Sequence, residues 1–190
     1  MMGMGRPVLA VFFGGLLAGL IYLAASSLLD GLSPIAFLQQ AASSVLGPAS
    51  AGGGLASAGI GAAVHFGFCF AAAAVYVFTA RALPLLTRQA LLFGLLYGAA
   101  IYLVVYFVVV PLSLASRPPF AWQGVVLDLL AHMLGFGLPI ALSAKYFAGP
   151  RRVFGQTLFA AVKSSNAFQK RARMASFSIR ISCSESSNSA

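Results

Sequence analysis

Four apolar runs leave this chain almost no choice of fold. They extend over about 7–29, 55–80, 89–110 and 123–146; the first three contain no Asp, Glu, Lys or Arg, and the fourth contains only Asp128 and Lys145. A helix rises 1.5 Å per residue, so roughly 20 residues cross the hydrocarbon core of a bilayer. Inside lipid every backbone N–H and C=O must be satisfied within the protein, which restricts a spanning segment to a helix or to a strand of a closed barrel. Barrel strands alternate apolar and polar residues, and these runs do not. The expected fold is all-α and integral to the membrane, a four-transmembrane-helix bundle.

Composition supports this. With 60% hydrophobic residues, 8% charged and three acids in 190, the chain has too little charge to coat a soluble globule. The runs are punctuated by Arg6 and Asp30, by the small-residue stretch Gly47 to Gly54, by Arg81, Pro84 and Arg88, by Pro111 and Arg117-Pro118-Pro119, and by Lys145 and Gly149-Pro150. Lys and Arg favour cytoplasmic loops, so Arg6, Arg81, Arg88 and Lys145 predict that both termini are cytoplasmic. The net charge of +9 does not call for nucleic acid as a partner: seven of the twelve basic residues lie between Arg151 and Arg180, and the rest flank spans. The first run exceeds the about 7–15 residues of a signal-peptide core and reads as a retained anchor. Cys69 and Cys183 show neither disulfide logic nor metal spacing, and no cofactor is expected.

Residues 1–149 form the expected transmembrane domain, and 150–190 a basic, Ser-rich cytoplasmic tail. The tail would begin as a surface helix and become disordered from Ser176. Between the first two spans, Ser33 followed by Pro34 is a helix-start signal, so 34–46 is either a short interfacial helix or an ordinary loop. Small residues four apart let membrane helices approach closely. Gly15 and Gly19, then Gly59, Ala63, Gly67 and Ala71, then Gly94 and Gly98 form such stripes, serving either as seams within the bundle or as faces for a homo-oligomer.

Few polar residues stand out in the last three spans: His65 and Tyr76, then Tyr97, Tyr102 and Tyr106, then Asp128 and His132. From the helical rise, His65 lies roughly 12 to 15 Å below the outer surface, and Asp128 and His132 roughly 8 and 14 Å below it. These three and Tyr106 therefore form the candidate polar cluster. Asp128 and His132 are one turn apart on a face shared with Gly124 and Phe136, while Gly135, Gly137 and Pro139 make this helix the one to kink. Two readings fit. Charged groups in a membrane are costly and commonly functional, which suits a proton relay or pH sensor. Alternatively, the pair simply clips the fourth helix to the second. The tyrosines near span ends read as interface anchors.

In this order and spacing the chain resembles the YagU-like inner-membrane proteins of bacteria over about residues 34–147. The resemblance lies in His65 followed by Tyr76, a Pro-containing hinge, Phe93-Gly94-Leu95-Leu96-Tyr97-Gly98, Pro111-Leu112, Pro118-Pro119, and an acid four residues before a histidine at Asp128 and His132. Asp128 stands where that family has a glutamate, and Tyr106 where its third span has a histidine. The molecular activity of that family is undefined and its named member is associated with acid resistance. The resemblance implies a bacterial inner-membrane accessory protein of acid or envelope stress. The alternative is a small oligomeric, proton-coupled transporter or channel subunit. An enzyme is not expected: no nucleophile with a base, paired carboxylates, metal spacing or phosphate loop is present, and Ser26 or Ser27 alone does not make one.

Overall fold

All four apolar runs are helices in the computed structural model, which describes residues 5–115 and 121–148. The Arg117-Pro118-Pro119 loop and the basic tail lie outside the described residues. The spans are α1 (Gly5–Leu29), α3 (Gly54–Ala82), α4 (Ala90–Leu112) and α5 (Trp122–Phe147), each long and apolar enough to cross a membrane. The residues expected to form an interfacial helix or a loop form α2 (Pro34–Leu46). The chain is a multi-pass membrane protein built as a helical bundle. Phe12, Leu91, Phe107 and Leu134 point outward, as lipid-facing side chains do.

Local chemistry sets the ends of these helices. Gly31 adopts a positive φ of 65° after α1, and the Leu32 N–H donates to the Ser27 carbonyl at 2.9 Å, a six-to-one closure that only glycine enters without strain. The Ser33 hydroxyl then accepts from the Ala36 N–H at 3.2 Å and caps α2, with Pro34 in its first turn. The start of α1 lies beside the end of α5, where the Phe13 and Phe147 rings stack at 5.2 Å. At the opposite end, α2 is tied to the neighbouring spans. Gln39 donates to the Gly54 carbonyl at 3.0 Å, and the Leu114 N–H to the Ser44 carbonyl at 3.1 Å.

Glycine places the seams, though not always at the expected positions. Cβ atoms at Gly15 and Gly19 would press into the rings of Phe70 and Phe66 on α3. At Gly94 and Gly98 they would meet the Leu138–Ala141 turn and the His132 backbone of α5, where Gly137 approaches from the other side. Gly59 and Gly67, with Ala63 and Ala71, face outward and lie in no seam among the described residues. Gly61 takes that role on α3, because a Cβ there would overlap the Leu38 carbonyl of α2. Tyr76 and Tyr97 join elements: Tyr97 donates to the Ala72 carbonyl at 2.7 Å and Tyr76 to the Leu86 carbonyl at 3.2 Å.

The second half of the bundle is not uniformly α-helical. Three stretches widen to π-helix, Val105–Val109, Ala131–Gly137 and Ala144–Ala148, and each ends two residues before a proline: Pro111, Pro139 and Pro150. Proline has no N–H for the carbonyl four residues earlier and its ring crowds that carbonyl, which for Pro111 and Pro139 lies inside the widened stretch. The expected kink in the fourth span thus appears as a change of helical register around His132.

Candidate functional site

Several polar residues of the spans converge near the α2 end. Tyr22 of α1 donates its hydroxyl hydrogen to Asp128 Oδ1 at 2.7 Å. His132 Nδ1 lies 3.2 Å from the same oxygen and 2.9 Å from the Asp128 carbonyl. Both of those atoms only accept, so Nδ1 carries hydrogen and a neutral His132 leaves Nε2 as its basic nitrogen. The Tyr22 and His132 rings meet edge to face with centroids 4.4 Å apart, and Tyr102 of α4 covers His132 at 5.5 Å. His132 is buried, whereas the Asp128 side chain keeps 45% of its surface open.

The other expected members stand further out. His65 contacts the Tyr22 ring at 6.2 Å, but its Nε2–H is committed to the Gly19 carbonyl at 3.0 Å, with Cys69 Sγ 3.9 Å from the same nitrogen. That bond fastens α3 to α1 where Gly19 permits close approach. Tyr106 stacks on Tyr102 at 5.9 Å and lines the same cavity as Asp128. Tyr22, which does not stand out in the sequence, is the central member. Its depth is the signal that finds it: seven residues before the end of α1, it lies roughly 10 Å in, level with Asp128.

These groups open onto a cavity of about 450 Å³ reaching from His65 and Phe136 to Ser113 and Ala121 at the span ends. Asp30, held by the turn after α1, and Ser26 also line it. Among the described residues, Ser26 Oγ and Ser27 Oγ are buried without a partner in good hydrogen-bond geometry. Among the described residues, His, Cys, Asp and Glu nowhere gather in threes suited to a metal.

Burial pushes the Asp30 carboxyl above its ordinary value of 3.8, and the nearby Asp128 charge adds to the shift. The folded protein therefore holds this proton more tightly than the unfolded chain does. Stability from Asp30 is lost as pH rises from the ordinary value through the folded one. The chain has only two aspartates, so protein labelled with ¹³C-aspartate resolves Asp30 directly. In Asp128→Asn its midpoint is expected to fall part of the way back, since the larger cause remains; an unchanged midpoint would show that the two carboxyls do not sense each other.

No protein-family model, curated protein or solved structure matches this chain.

Proposed function

We propose that this is a proton-responsive accessory protein of a bacterial inner membrane, with Asp128 and His132 as its proton-binding pair and both termini in the cytoplasm. The observation that carries the reading is the double engagement of Asp128 Oδ1 by Tyr22 and His132 between apolar helices. A carboxylate and an imidazole so joined can hold one proton between them, and His132 Nε2 can take a second from the cavity. Helix clipping alone would not require an ionisable pair with an open side chain. The resemblance to YagU-like proteins points to acid or envelope stress as the setting, and the positions of Arg6, Arg81, Arg88 and Lys145 support the orientation.

Acid challenge of cells carrying the wild-type or Asp128→Asn protein tests this. The variant is expected to reach the membrane in normal amount and to give no acid protection. Normal protection from Asp128→Asn would refute the proposal, and lost abundance would assign the pair to structure.

A further inference from the structure

The geometry points to the cavity as a binding site for a small organic cation, an alkylammonium group borne by a free amine or by a lipid headgroup. This rests on the reading of Asp128 as an ionisable group facing the cavity. Two of the three acids in the whole chain, Asp30 and Asp128, line this one space, while none of the described basic residues, Arg6, Arg81, Arg88 and Lys145, does. A low-dielectric space with that balance favours a cation and disfavours an anion.

The walls suit the same ligand. Tyr22, Phe37, Tyr102, Tyr106 and Phe136 line the cavity, and aromatic faces attract alkylammonium groups through their quadrupole. Both hydrogen bonds to the Asp128 carboxylate fall on Oδ1, so the open side chain can turn Oδ2 to a ligand. Ser26 is the second, independent sign. Its residue is 4% exposed, and its hydroxyl, though within reach of the Tyr22 phenol, has no partner in good hydrogen-bond geometry among the described residues. Buried hydroxyls in native proteins nearly always have a partner, and a ligand in the cavity would supply one. A proton alone needs no such space, whereas about 450 Å³ falls within the roughly 300–1,000 Å³ of small-molecule pockets.

Protons and the cation would compete. Asp128 shares the cavity with Tyr22 from α1, Asp30 beyond its end, His65 from α3, Tyr102 and Tyr106 from α4, and His132 on its own helix. Acid neutralises the carboxylates and charges the imidazoles, and both changes weaken cation binding.

The full chain, in detergent micelles and in nanodiscs, is titrated by calorimetry with benzyltrimethylammonium, benzyl alcohol and benzoate. The cation is expected to bind best, more weakly at acidic pH, and at least about tenfold more weakly to Asp128→Asn. Asp30→Asn, outside the spans, repeats the test with a smaller loss if Asp128→Asn fails to fold. Benzyl alcohol binding as tightly as the cation, or both variants retaining wild-type affinity, would overturn the proposal. Phosphatidylethanolamine added to phosphatidylglycerol nanodiscs separates the sources: competition assigns the lipid headgroup, and undiminished affinity assigns a soluble amine. Absent cation binding alongside lost acid protection in Asp128→Asn overturns the ligand alone; cation binding with protection intact overturns the proton-responsive role alone.

Discussion

Gly98→Leu is expected to abolish the folded bundle. A Cβ at this position would overlap the His132 carbonyl and press on the Met133 backbone, and neither can yield as a flexible side-chain tip would. Overpacking a tight seam costs about 1–3 kcal/mol even where neighbours can adjust, and leucine adds three carbons beyond the Cβ. Forcing α4 from α5 also lifts Tyr102, one turn further along α4, away from His132. Gly59→Leu is the control: among the described residues, no atom of a neighbouring helix lies within 4 Å of its Cβ, and the side chain would point out of the bundle. Size-exclusion profiles and thermal unfolding in detergent should separate the two variants widely. Equal behaviour would show that glycine content, rather than this approach, governs packing.

Tyr22→Phe is expected to give the second-largest loss. It deletes one oxygen and leaves Asp128 without its shortest donor. A hydrogen bond to a charged group contributes about 1.5–3 kcal/mol, against about 0.6 for neutral interhelical bonds in a membrane. A double-mutant cycle with Asp128→Asn reads the pair directly. If the carboxylate is charged, the Tyr22–Asp128 coupling should exceed about 1 kcal/mol. Additive effects would mean that the phenol stabilises α1 by packing alone.

The spans were legible because their information lies in length and apolarity, which survive any rotation of a helix about its axis. The start of α2 was legible because Ser33 and Pro34 act locally, and the Asp128–His132 contact because one helical turn fixes it. Rotation is what the sequence conceals. In α3 the stripe at Gly59 and Gly67 is as regular as any, yet Gly61, two residues along, meets α2. With glycine and alanine on nearly every face, spacing cannot select among them. Tyr22 stayed hidden for a related reason: its partner is 106 residues away on another helix, and only the assembled bundle brings them together.

The widened turns before Pro111 and Pro139 divide stiffness unevenly around the cavity. The α1 and α3 walls are continuous ladders, with Pro7 confined to the opening turn of α1, so they behave as struts. The α4 and α5 walls are threaded rods. Where a proline has already removed the bond that fixes pitch, gaining or shedding one residue of winding turns a segment by about 100° and moves it about 1.5 Å along its axis. His132 sits on such a thread, and the Tyr22 to which its partner Asp128 is bound sits on a strut. Any advance of the thread is thus a change in how firmly the carboxylate is gripped.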